Sequence, residues 1–201
     1  GAVGGMLWML IPALARAYLG TSEIITTLLF NYVGLAVLQH LILGGESYWR
    51  DPTTLNFPQG KMIPAATQFA RFGSTRVTIA LIVALIAALV FAIVWWYTSF
   101  GFNMKVLGDT EHAARYAGIS IRRTVLITLL VSGALAGMAG AAEISGRAYR
   151  LDPAGLAISL GYTGIIVAAL ARANPFGVVL VAILLGGLQN AGVSIQSLSG
   201  E

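Results

Sequence analysis

The chain contains no cysteine, and only 10% of its 201 residues are charged. The first absence excludes disulfides, thiolate metal sites and a cysteine nucleophile. The second places the chain outside the soluble globular class, in which about a quarter of residues are charged. Histidine is scarce too, with only His40 and His112, and no HExxH, GxxxxGK or GxSxG string occurs. A metalloprotease, a P-loop ATPase and a serine hydrolase each need one of those arrangements. No enzyme chemistry, metal site or cofactor is therefore expected of this chain. The twelve basic residues give a net charge of +4 but are scattered through loops, without the aromatic-interleaved patch that nucleic acid requires.

Apolar sequence is what the chain has in abundance. Hydrophobic residues make up 57% of it and the mean hydropathy is +0.82. A hydrocarbon core of about 30 Å takes roughly 20 apolar residues per helix, so the length holds five or six spans. The expected fold is all-α, a polytopic transmembrane helix bundle of about six helices forming one domain over 1–201. The chain opens at Gly1 without a positively charged stretch and stops at Glu201 straight after an apolar run. Both features are expected of a piece lacking helices at each end.

Taken in order, residues 1–19 form a first apolar helix with Pro12 inside it, and Gly1 and Gly5 allow close helix contact. Thr21 and Ser22 are natural N-caps for a second helix, Glu23 to Leu43. Glu23, Thr27 and Asn31 recur every four residues on one face, with Thr26 beside them. Such a stripe either lines a polar route or serves the helix start and a neighbouring helix. Residues 44–76, with Pro52, Pro58 and Pro64, are too polar to span and read as a loop. Val77 to Thr98 carries no charge and closes on Trp95, Trp96 and Tyr97, an interfacial aromatic belt.

A charged island follows, 101–123, between two apolar runs. Its residues 109–118 read as a short helix in which Gly108 breaks what precedes, Asp109 caps, Glu111 complements the dipole and Gly118 stops the helix. Ala113, Ala114 and Ala117 form a smooth face, with Arg115 on another side. A polar connector between membrane helices would share this pattern. Thr124 to Ala142 is the next span, with Gly133 and Gly137 in small-xxx-small spacing, as are Ser132, Ala136 and Gly140. Glu143 either pairs with Arg147 or Arg150 or joins the polar route. Residues 155–171 read as a glycine-broken segment, Gly161 and Gly164 flanking Tyr162 and Thr163; broken helices in membranes line sites. Arg172 to Pro175 is a tight turn before a last span, 176–193.

Charge counting leaves orientation open: Arg16, Lys105, Arg115, Arg122, Arg123 and Arg172 fall on one side, and Arg50, Lys61, Arg71, Arg76, Arg147 and Arg150 on the other. The density of bases in the shorter island favours a cytoplasmic position for it.

The string GFNMKVLGDTEHAARYAGI, 101–119, resembles the coupling loop of ABC importer permeases, and in particular the family that includes simple-sugar, ribonucleoside and branched-chain amino-acid importers. GTSEIITTLLFNY (20–32), SGALAGMAGA (132–141), GYTGIIVAAL (161–170) and NPFG (174–177) resemble its sugar and nucleoside branch. One departure is Ser22, where the family usually has Asn. The resemblance implies a permease in a bacterial or archaeal plasma membrane, with Gly108, Asp109, Glu111, Ala113, Ala114, Arg115 and Gly118 seated on a separate ABC ATPase subunit. It further implies a second permease subunit, an extracytoplasmic solute-binding protein over 44–76, and a route past Glu23, Thr27, Asn31, Tyr162 and Thr163. A branched-chain amino-acid permease, or a carrier or channel that uses no ATP, remains the alternative at this stage.

Overall fold

In the computed structural model, residues 1–44, 48–52, 59–70, 78–151 and 159–199 are described, without the side chains of 43, 159, 160, 190 and 193–199. Pro58, Arg71, Arg76, Asp152, Pro153 and Gly155 lie outside the described residues. The order is α1 (Ala2–Leu19), α2 (Glu23–Leu43), α3 (Ile79–Tyr97), α4 (Ser99–Asp109), α5 (Glu111–Tyr116), α6 (Ile121–Glu143), α7 (Ser159–Leu170) and α8 (Pro175–Ser199). Among the described residues there is no strand, only an isolated bridge between Arg50 and Gly60.

Among the described residues four helices are long and apolar enough to cross a bilayer: Ala2–Leu19, Glu23–Ile42, Ile79–Tyr97 and Ile121–Ala148. The third has a mean hydropathy of 2.9 and rises about 28 Å at 1.5 Å per residue. Gly161–Leu170 and Pro175–Gln189 are shorter apolar stretches. Ser159–Leu170 runs unbroken through Gly161 and Gly164, so the glycine-broken segment expected there is corrected over its described part. In an apolar setting unwinding strands backbone groups that water cannot satisfy, and glycine then stays helical.

The tightest packing joins α1 to α6. A Cβ on Gly5 would lie 2.8 Å from the Gly137 Cα, and one on Gly137 would lie 2.8 Å from the Gly5 Cα. The paired glycines thus bring two backbones into contact, as membrane helices do when van der Waals packing replaces the hydrophobic drive. Gly140, in the second small-residue row, faces open space. Pro12 stays inside α1 and is buried with Ala13, although its ring frees the carbonyl four residues earlier. Trp8 meets Phe30 edge-on at 5.7 Å, seating α2 on α1. Trp96 stacks on Phe176 at 5.1 Å, which brings the start of α8 to the end of α3.

These contacts sort the turns into two ends. One end gathers the α1–α2 turn, the α3–α4 bend, α5, the start of α6 and the α7–α8 turn. There Arg122 lies 5.8 Å from the Tyr18 ring, and Asn174 Oδ1 accepts from Phe176 N–H at 3.0 Å to start α8. The other end gathers residues 59–70 against a π-helical turn, Ile144–Ala148, that prolongs α6. Gly60 N–H donates to Leu151 O at 2.7 Å, Ile63 N–H to Tyr149 O at 2.9 Å and Phe69 N–H to Ser145 O at 2.8 Å. Glu143 pairs with Arg147 at 3.1 Å, the first of the alternatives open for it.

Candidate functional site

The charged island is built by two breaks. At Thr98 the backbone is extended, φ −114°, and its hydroxyl donates to Val94 O at 2.6 Å while accepting from Gly101 N–H at 3.2 Å. This closes α3 and starts α4 in one residue. Lys105 lies 5.3 Å from the Trp95 ring, tying α4 back to the aromatic end of α3. The second break is Thr110, extended at φ −153°, whose hydroxyl accepts from Ala113 N–H at 3.3 Å.

Two expectations change here. Asp109 is the last residue of α4 and not a cap, and Gly108 is helical inside α4 and not a breaker. Thr110 takes the capping role, since a hydroxyl on an extended residue reaches the N–H three positions on. The sequence signal for it was present, as Thr is a standard cap residue, but it stood beside the equally qualified Asp109.

The C-terminal stop is as the sequence predicts. Gly118 has φ +70°, Gly118 N–H donates to Arg115 O at 3.1 Å and Ile119 N–H to Ala114 O at 2.9 Å. That pair of bonds is the Schellman motif, in which a left-handed residue turns the chain out of the helix. On the exposed surface Arg115 Nη2 holds Glu111 Oε1 at 2.8 Å. Glu111's carboxyl sits below its ordinary pKa, first because Arg115 donates that hydrogen bond and next through Arg115's charge, with smaller contributions from Arg16 and His112.

The expected alanine face is divided. Ala113 and Ala117 are exposed, but Ala114 is fully buried against its own chain. Tyr116, which the sequence reading passed over, is 93% exposed. A short helix with alanine on several sides carries no sequence signal of which side packs, and a large aromatic left in the open is the signal that was missed.

The α1–α2 turn lies under this peg. Arg16 Nε meets Glu23 Oε2 at 3.0 Å and Arg16 Nη1 donates to Thr21 O at 3.2 Å. Ser22 occupies the N-cap position of α2 without a side-chain bond, and Thr21's buried hydroxyl makes none. The side-chain capping bonds expected of Thr21 and Ser22 are thus not made, and Arg16 ties the turn instead through Thr21 O and Glu23. A cleft of about 240 Å³ opens between Arg16, Glu23, Trp95, Gly108 and Thr128. Glu23 therefore stands at the mouth of the bundle, beside the last turn before α5.

From there the polar stripe runs along α2, Asn31 being about 12 Å further on at 1.5 Å per residue. Thr27 Oγ1 donates to Glu23 O at 2.7 Å and Thr26 Oγ1 to Ser22 O at 2.9 Å, so the helix itself satisfies both hydroxyls. Asn31 is exposed. Tyr162, 43% exposed, and Thr163 lie on α7, which packs on α8 while α2 packs on α1. The structure does not bring these two sets into one site.

Helix content, apolar spans and a charged peg at one end define the chain as an all-α polytopic membrane protein. It belongs to the branched-chain amino acid transport system / permease component family, whose model matches residues 1–199. It is similar to the guanosine ABC transporter permease protein NupP of Bacillus subtilis, 33% identical over 99% of this chain and 57% of that one. Similarity to the nucleoside ABC transporter permease protein NupB of Lactococcus lactis is 34% over 94% of this chain and 53% of the relative. The glucose ABC transporter permease protein TsgB13 of Haloferax volcanii is 31% identical over 96% and 53%. The chain spans about half the length of these curated relatives. No solved structure matches it.

Proposed function

We propose that the chain forms part of the permease subunit of an ATP-driven importer for a nucleoside or simple sugar. The observation that carries this reading is α5: a peg of six residues, capped at both ends by its own hydrogen bonds, seated on the bundle through Ala114 and presenting Tyr116 and Ala113 outward. Such a peg suits a groove on a separate ABC ATPase subunit, with α5 on the cytoplasmic side of a bacterial or archaeal plasma membrane. Glu111 and Arg115 supply polar contacts, Ala113 close approach, and Gly118 the turn that fixes the peg's angle. Gly108 and Asp109 place its root, and Ala114 seats it against the bundle.

Closure of the ATPases shifts the peg, and a two-state rigid-body movement alternates access to a polar route. Glu23 stands at the cytoplasmic mouth of that route, Thr27 and Asn31 follow it inward, and Tyr162 and Thr163 line its opposite side once the assembly is complete. A second permease subunit, identical or related, closes the route, and a solute-binding protein delivers cargo over 44–76. The nucleoside and sugar cargo is the one carried in the names of the relatives above.

The test uses the full-length permease with its ATPase and binding protein in proteoliposomes, supplied with labelled guanosine, glucose or leucine. ATP-dependent accumulation of guanosine or glucose is expected. Ala113→Trp is expected to lower uptake roughly tenfold, a loss of about 1.4 kcal/mol in coupling, while ATP hydrolysis persists. Uptake without ATP, or uptake indifferent to Ala113→Trp, overturns the reading; leucine as the accumulated solute transfers it to the amino-acid branch.

A further inference from the structure

Outside the peg and the polar stripe, a second cleft of about 310 Å³ opens at the same end of the bundle, bounded by Phe100, Asn103, Ser120, Arg123, Thr124 and Ile127. Its floor is the N-terminus of α6, a helix of 23 residues whose N-cap, Ser120, makes no side-chain capping bond. The first-turn N–H groups and the positive end of the dipole therefore face the cleft without a side-chain acceptor.

Thr124 is the second and independent observation. It is 6% exposed and lines the cleft. Helical threonines elsewhere in the chain turn their hydroxyls onto the carbonyl four residues back: Thr26 to Ser22 O, Thr27 to Glu23 O and Thr128 to Thr124 O. Thr124's backbone N–H donates to Ser120 O and its carbonyl accepts from Thr128, but its own hydroxyl makes no bond. Open to the cleft and not turned onto its own helix, the hydroxyl is available to donate to an acceptor bound there.

The remaining lining fits that acceptor. Arg123 is exposed at the rim and, among the described residues, pairs with no carboxylate, whereas Arg16, Arg115 and Arg147 each hold one. Asn103 adds an amide from α4, and Phe100 and Ile127 make apolar walls. A guanidinium, free N–H groups and a hydroxyl converging at a helix start recognise phosphate oxygens. Apolar walls beside them, at the level where an aromatic belt ends α3, match the glycerol and first methylenes of a phospholipid.

We propose that this cleft binds a phosphate group, held by Arg123, Thr124, Asn103 and the start of α6, and that the phosphate is the headgroup of an anionic phospholipid. The site lies beside the root of the peg but does not rest on the transport reading, since lipid retention is measurable without turnover.

The test is native mass spectrometry of the full-length permease complex. Detergent-purified protein is incubated with phosphatidylglycerol, with diacylglycerol of the same chains, or with excess inorganic phosphate. Wild type is expected to retain phosphatidylglycerol but not diacylglycerol. Arg123→Ala and Thr124→Val should each cut retention roughly tenfold, as expected for loss of a charge-assisted or buried hydrogen bond. Arg123→Lys should keep most of it, and Arg122→Ala, whose guanidinium lies over Tyr18, should change nothing. Displacement of the lipid by inorganic phosphate, with phosphate binding lost in the same two variants, reassigns the phosphate site to the free ion. Equal retention in wild type and both variants, or equal retention of diacylglycerol, overturns the proposal.

Discussion

The two ends of the bundle are held together by different means. At the end that carries α5, the hydrogen bonds that shape α5 and its flanks are local: Thr98 to Val94, Thr110 to Ala113, Ile119 to Ala114, Arg115 to Glu111. At the opposite end the bonds are remote, Gly60 to Leu151, Ile63 to Tyr149 and Arg150 Nη1 to Gln59 Oε1 at 2.6 Å across 91 positions. The hydrogen bonds of the first lie within one segment, while those of the second require that the bundle bring 59–70 to 144–151.

The sharpest way to break this contrast is at Gly118, where φ is +70°. Gly118→Val places a β-branched residue in the left-handed region, at a cost of about 1–2 kcal/mol. The expected result is a peg that no longer holds its angle: a cysteine placed at Tyr116 no longer cross-links at one position to the ATPase subunit proposed above, while the permease still inserts. Gly108→Ala, in the helical α4 with open space around it, should leave the cross-link intact.

At the remote end the expected effect stays confined to one loop. Arg150→Ala removes one bond of a charged group, worth about 1.5–3 kcal/mol when part-buried. Backbone pairing from Gly60, Ile63 and Phe69 remains, so the expected outcome is faster proteolysis within 59–70 and no change at α5. Faster cleavage at both ends would show that the ends are not independent.

The smallest effect is the titration of Glu111. Its folded pKa is depressed, so the Glu111–Arg115 contribution is present above the ordinary carboxylate range and is lost as pH falls through the depressed value. The carboxyl-carbon NMR shift of Glu111 should thus titrate below the ordinary glutamate range, and Arg115→Ala should raise the midpoint back toward it. An exposed pair adds little to stability, so no unfolding should accompany the change.

Legibility followed the same division. The start and end of α2, the span of α3 and the glycine stop of the peg were readable, because apolar periodicity and cap chemistry act within one segment. α6 began three residues before the expected Thr124, since Arg122 and Arg123 are excellent helix formers even where the bilayer ends. Gly161 and Gly164 stay helical because an apolar setting cannot satisfy freed backbone groups, and Gly108, exposed in α4, because one glycine costs a helix only about 1 kcal/mol. Ala114 was placed on the outer face because neither adjacent alanine announces which one meets α4 and α6. The pairing of Gly5 with Gly133 and Gly137 was half readable, as each spacing advertises closeness but not its partner.

That glycine seam gives the molecule a stiff splint. Two helices whose main chains touch can neither slide nor rotate past one another without a clash, so α1 and α6 behave as one double-thickness beam. The beam begins at Ser120, next to the peg, and ends at Ile144, where the remote loop is sewn on. A tilt imposed at one tip must reappear at the other, about 35 Å away by helix rise.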